Sequence, residues 1–171
     1  MIDFPDEQVA VAGLKGPVRL ADVLFLAQKS NRIAPLQVVR ADAVVGTDHV
    51  RSAALHARRA ESEGRMQAKT LDVEFARYLS GERQIRAALD RVGVADGTEA
   101  VAAVALGPKR RDALQHFLHA IALPQDDGLL SAAEWKLLTL GVSAQAISAT
   151  EPSRRMDLAL QAVAAVDLAR P

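Results

Sequence analysis

An α/β (α+β) architecture, with a small central β-sheet covered by helices, is expected of this chain on three grounds. Short runs rich in Val, Ala and Leu recur at Gln8–Leu14, Leu36–Val39 and Glu99–Leu106, as in strands buried between layers. Longer segments between them repeat apolar residues at helical spacing. Glycine and proline stand at the joints, as at Gly16-Pro17, Gly64, Gly81, Gly93 and Gly107-Pro108, where the chain must turn. A length of 171 residues suits a single domain covering residues 1–171. Strand order is not readable from such a pattern.

Taken in order, Gln8–Leu14 reads as an edge or first strand, closed by Gly13 and Gly16-Pro17. Val18–Ser30 follows as a helix carrying Leu20, Val23, Leu24 and Ala27 on one side. After the strand at Leu36–Val39, Thr47 or Asp48 is placed to cap a helix that runs to about Glu63 and stops at Gly64. A helix from Thr70 sets Leu71, Phe75 and Leu79 on one face and breaks at Ser80-Gly81. Another spans Glu82–Val92, with Ile85, Leu89 and Val92 on one side and Arg83 and Arg86 on another. The Val/Ala strand Glu99–Leu106 leads to Gly107-Pro108, read as a helix start with proline in first position. That helix holds Leu114, Phe117, Leu118 and Ile121. Beyond Pro124 come an acidic turn at Asp126-Asp127-Gly128, a short helix around Ser131–Leu140, and a last helix from Pro152 to Ala169.

Composition excludes several functions. Without cysteine there is no disulfide, thiolate metal site or cysteine nucleophile. Apolar stretches fall well short of the ~20 residues that span a bilayer, so no membrane partner is expected. The start, Met1-Ile2-Asp3-Phe4-Pro5-Asp6-Glu7, is acidic where a secretory signal is basic, and a cytoplasmic location is the expectation. Gly13-x-x-Gly16 lacks the third glycine and the lysine of a phosphate loop. His116 and His119 lie three apart on a helix without the surrounding ligands of a metal site, so no metal and no cofactor are expected. His49 and His56, seven apart on one helical face, read as solvated or half-buried. With no Gly-x-Ser-x-Gly elbow, no nucleophile is nominated and the chain is not read as an enzyme.

Charge is balanced overall, with 21 basic and 21 acidic side chains. From His49 to Arg111, however, 12 Lys and Arg stand against 8 Asp and Glu. Either this is a basic zone or it is ordinary scatter on solvated helix faces. Within it, a helix beginning near Gly81 would offer unpaired N–H groups to an anion, and Arg83 in its first turn would oppose the helix dipole unless an anion arrived. Glu82 offers the alternative of neutralising Arg83 locally.

The run Leu79-Ser80-Gly81-Glu82-Arg83-Gln84-Ile85-Arg86-Ala87-Ala88-Leu89 resembles the signature of the small auxiliary subunit of the KEOPS complex (the TPRKB family, archaeal type). Archaeal members of that family read Ala/Leu-Ser-Gly-x-Arg-Gln-Ile-x-x-Ala. Upstream, Leu36-Gln37-Val38-Val39, Ala41-Asp42, Val44-Val45-Gly46 and His49-Val50 with Ala53 are similar to the family's strand, turn and helix in the same order. Downstream, Val92-Gly93-Val94 leads into the Val/Ala strand. The likeness extends from about Leu36 to Leu106 and weakens after Pro124.

The resemblance implies a non-catalytic subunit that docks on the small atypical kinase of KEOPS and recruits tRNA by its 3′ CCA end, for threonylcarbamoyladenosine modification. On this reading Arg83 and Gln84 match the motif as tRNA-binding residues together with Gly81. Lys69 joins them from its position before the motif helix. Lys109-Arg110-Arg111 is a further candidate, equally well explained as a solvated helix start. Tyr78 is the only tyrosine, so phosphate holding is better supported than base stacking. The alternative is a small-molecule-binding regulatory domain, which needs an apolar pocket with converging polar groups.

Overall fold

The computed structural model describes residues 1–168. Its strands are β1 Ile2–Phe4, β2 Val9–Lys15, β3 Leu36–Arg40 and β4 Ala100–Leu106, joined as one antiparallel sheet in the order β1-β2-β4-β3. The helices among the described residues are α1 Leu20–Ser30, α2 Thr47–Ser62, α3 Leu71–Ser80, α4 Ile85–Val92, α5 Arg110–Ile121, α6 Trp135–Thr139, α7 Ala144–Ala149 and α8 Asp157–Leu168. None is long and apolar enough to cross a membrane.

β2 is not an edge strand. It forms a hairpin with β1, pairing Ile2 with Val11 and Phe4 with Val9, and its other side pairs with β4 from Val9↔Leu106 to Lys15↔Ala100. β4 in turn pairs with β3 from Leu36↔Ala105 to Arg40↔Val101. β2 and β3 therefore run in the same direction with β4 between them, and α1 connects them across one face of the sheet. The return from β3 to β4 carries α2, α3 and α4.

Alternation along the strands divides the core. Ala10, Ala12, Leu14, Leu36, Val38, Val101, Ala103 and Ala105 pack with Val23 of α1 and with Ala113, Leu114 and Phe117 of α5. Val9, Val11, Val39, Ala102, Val104 and Leu106 face the opposite way. They pack with Val50, Ala53 and Ala57 of α2, Phe75 and Leu79 of α3, and Val163 and Val166 of α8. The chain after α5 folds back over the end of β2, where Asp126 N–H donates to the Gly13 carbonyl at 2.8 Å. The approach leaves no room for a side chain, since a Cβ on Gly13 would lie 2.2 Å from the Asp126 carbonyl oxygen.

Several element boundaries differ from those expected. Gly46, at φ 85°, precedes α2, so Thr47 is its first helical residue and not its cap. The helix expected over Glu82–Val92 begins only at Ile85, and Leu89 is exposed on it. Pro108 lies in a turn ahead of α5, which Lys109 precedes directly. Of Ser131–Leu140 only α6 is α-helical, α7 is an additional helix, and Pro152–Ala169 divides into a 3₁₀ turn at Pro152–Arg154 and α8. Ala169 lies outside the described residues.

His49 is fully buried, not solvated or half-buried. Its Nδ1 accepts the Val45 N–H at 3.2 Å, so Nε2, 2.9 Å from the Leu79 carbonyl oxygen, is the nitrogen that donates. The ring thereby ties the start of α2 to the end of α3. This pair of bonds requires a neutral imidazole, and burial lowers its pKa to about 4. His56 is half-buried, with Nδ1 3.0 Å from Asp167 of α8, and Asp167 also accepts the Tyr78 hydroxyl at 2.7 Å.

His49 binds its proton more weakly folded than unfolded, so its contribution is complete above the unfolded value near pH 6.5 and is lost as pH falls towards 4. Urea titrations should show about 3 kcal/mol less stability at pH 4 than at pH 7 from this residue, and the His49→Gln variant should lose that part of the pH dependence. Separately, Gly13→Ala should cost about 3 kcal/mol through the clash with Asp126. Gly97→Ala, at φ 81° with open space around it, should cost only about 1 kcal/mol by the same measurement.

Candidate functional site

The motif residues gather at the junction between α3 and α4. α3 is enclosed on nearly every side, burying Glu74, Arg77 and Tyr78 as well as Leu71, Phe75 and Leu79, and Gly81 ends it in the left-handed conformation at φ 69°, which favours glycine. A Cβ there would also press on Ala162 of α8 at 3.1 Å. Gly81 is thus a helix end and not a helix start. The partial charge of that end is negative, the opposite of what an anion needs. The N-terminus that does open lies four residues on, where Gln84 precedes α4 without using its side chain as a cap.

This shift rearranges the roles. Arg83 and Gln84, both exposed, flank the free N–H groups at the start of α4. Arg86, also exposed, is the cation inside the first turn, and that turn holds no acidic residue. Sequence reasoning placed Arg86 on a polar face only, because the expected helix started three residues too early. Glu82 does not neutralise Arg83. It pairs with Arg91 at 2.6 Å, and Arg91 Nη1 also donates to the Ser80 and Leu140 carbonyls at 3.2 and 2.9 Å. The backbone of the junction is therefore held while Arg83, Gln84 and Arg86 project into solvent.

Lys69 is exposed as well, but it precedes α3 at its other end. Ten helical residues separate it from Gly81, about 15 Å of helix, so Lys69 and Arg83 occupy the two ends of a surface and not one pocket. Tyr78 is buried and its hydroxyl is committed to Asp167, which removes it as a base-stacking platform. Of Lys109-Arg110-Arg111, the middle residue is buried and bonded through Nη2 to Asp3 at 3.0 Å, leaving Lys109 and Arg111 exposed.

Part of the basic zone is spent internally. Arg51 pairs with Glu7 and Asp48, Arg65 with Glu63 and Asp167, Arg77 with Glu74, Arg91 with Glu82 and Arg110 with Asp3. Among the described residues, Arg58, Arg59, Lys69, Arg83, Arg86, Lys109 and Arg111 have no such acidic partner, and of these Arg83 and Arg86 stand at the start of α4. His116 does not share a site with His119, for its Nδ1 lies 2.9 Å from the Ser30 hydroxyl and links α5 to α1. No three His, Asp or Glu side chains among the described residues converge as a metal site. The cleft at the start of α2 is lined by Val45, Leu130, Met156 and Leu160. Of the polar side chains that also line it, His49 is engaged as described and Asp127 bonds to the Met1 amine and the Gly13 N–H, while Thr47, Asp48, Ser131 and Asp157 stand at its more open parts.

A second surface stands out on α1. Leu24 and Phe25 are 60% and 56% exposed, although the helix buries Val23 against the sheet. Phe25 carries the Lys29 ammonium 4.3 Å above its ring and borders a groove with Val18, Leu26, Ile121 and Leu123. The other helix with a wide apolar stripe, α8, instead directs Ala159, Val163 and Val166 inward.

No curated protein matches the chain. The family model described as kinase binding protein CGI-121 matches residues 19–139, from the residue before α1 to the end of α6, including the whole α3–α4 junction. With most of its length so matched, the chain belongs to the CGI-121 family of kinase-binding proteins.

Proposed function

We propose that this chain is a non-catalytic auxiliary subunit of the KEOPS complex, working as one domain in the cytoplasm, which binds the small atypical kinase of that complex and recruits tRNA by its 3′ CCA end. Family membership supports the kinase half of this reading. The observation that carries the RNA half is the start of α4, where Arg83, Gln84 and Arg86 surround free backbone N–H groups with no acidic side chain in the first turn. Cations around a helix N-terminus suit phosphate. A single-stranded end held this way is gripped by its backbone, with little base stacking.

The exposed face of α1 is the contact proposed for the kinase, since Leu24 and Phe25 offer apolar area that the chain's own core leaves uncovered. Co-expression with the kinase subunit of the same organism should give a complex that co-elutes at micromolar concentration. The Leu24→Asp/Phe25→Asp variant should stay folded and bind about a hundredfold more weakly. Failure of the wild type to co-elute ends the kinase reading, and an unaffected variant moves the contact away from α1.

For RNA, Arg83→Glu should weaken tRNA binding at least about tenfold, because a like charge then faces the phosphate. Replacing Lys69 should lower the slope of log affinity against log salt by about one. Mobility shift of intact tRNA against tRNA lacking its terminal CCA gives the decisive comparison. Equal affinity of the wild type for both removes the 3′-end mechanism, and unchanged affinity of folded Arg83→Glu moves the site towards Lys109 and Arg111.

A further inference from the structure

The cations at the two ends of α3 rest on backbone segments that share no secondary structure, yet one buried pair of side chains reaches both. Glu74, completely buried in the middle of α3, accepts the Gln67 and Ala68 N–H groups through Oε2 at 3.1 and 2.9 Å. Ala68 directly precedes Lys69. The other oxygen, Oε1, lies 3.2 Å from Nη2 of Arg77, which is 4% exposed and lies over the Tyr78 ring. Arg77 Nη1 then donates to the Arg83 carbonyl at 3.2 Å. A continuous polar path thus runs from the backbone beside Lys69, through two buried side chains, to the backbone of Arg83.

We infer that Glu74 and Arg77 are positioning residues, a buried relay that fixes the backbone at both ends of α3 and so sets the placement of Lys69 and Arg83 for a polyanion. The inference rests on the RNA reading proposed above. Stability alone is a poor reason for the pair. α3 is already anchored by Leu71, Phe75 and Leu79, and a buried ion pair is commonly no better a stabiliser than apolar residues of the same volume. This one is also incompletely bonded, for neither Glu74 Oε1 nor Arg77 Nε completes a hydrogen bond. What the pair supplies beyond packing is the position of the backbone that carries the exposed Lys69 and Arg83 side chains. Arg91 holds Ser80 and Glu82 but does not bond to Arg83, so that carbonyl depends on Arg77.

The test uses the full chain and two variants. Arg77→Lys keeps a cation beside Glu74 but loses the planar fork that serves the carboxylate and the carbonyl together. Glu74→Gln/Arg77→Met removes both charges at once, so no buried charge is left unpaired. In Arg77→Lys, backbone amide order parameters at Arg83 and Gln84 should fall from about 0.85 to below about 0.6, with those of β4 unchanged. The double variant should loosen Arg83 and Gln84 in the same way, while Gln67 and Ala68 stay held, because the amide oxygen that Glu74→Gln leaves in place still accepts their N–H groups. Both should bind tRNA about three- to tenfold more weakly. Their salt slope should match that of the wild type, since neither residue touches phosphate, whereas Arg83→Gln lowers the slope by about one.

Unchanged order parameters at Arg83 in folded Arg77→Lys overturn the relay, as does an equal loss of order throughout β4. A loosened Arg83 with unchanged tRNA affinity overturns its role in RNA placement. A wild-type chain that binds no tRNA refutes the RNA reading itself, and the order parameters then report on the backbone relay alone.

Discussion

Strand β4 has no polar atom in any side chain from Ala100 to Leu106, and from Val101 onward it is wholly buried. Its backbone groups pair with β2 on one side and β3 on the other, which satisfies them internally at a depth where water is absent. Alanine at positions 102, 103 and 105 lets helices come close on both faces. With β4 occupied on all four sides, every other element is assigned a place. α1 and α5 cover one face, α2, α3 and α8 cover the other, and the exposed turns are left at the rim.

The three longer strands and helices α1, α2, α3 and α5 were legible in the sequence because each combines a clear period with a glycine or proline stop. β1 was not, since Ile2–Phe4 is too short to show alternation and exists only through its hairpin with β2. α7 and the division before α8 escaped notice for a related reason. Residues after Pro124 form short turns that depend on tertiary contacts such as Lys136 Nζ, which donates to the Val44, Leu129 and Ser131 carbonyls. Periodicity carries no trace of such bonds.

At the candidate site the residue types were readable and their backbone setting was not. Gly81 fits two local grammars, a helix stop and the opening of the next helix, and only the fold shows that the stop takes Gly81 while the opening falls at Gln84. The consequence is chemical as well as geometric. A helix end repels an anion where a helix start attracts it, so the shift transfers the electrostatic role from Gly81 and Arg83 to the segment Arg83–Arg86. The burial of His49 was likewise hidden, because its partners are a backbone donor at Val45 and a carbonyl at Leu79 that sequence spacing cannot connect.

The span matched by the family begins after β2, and this has a practical meaning for anyone who would trim the chain to it. A fragment of residues 19–139 would present β4 with one whole side of unpaired backbone groups, flanked by small apolar side chains and unprotected by charge or proline. Such a strand is a template for self-association. The boundary drawn by sequence likeness therefore cuts through a cooperative unit, and the shortest piece that could remain monodisperse has to carry β2 along with it.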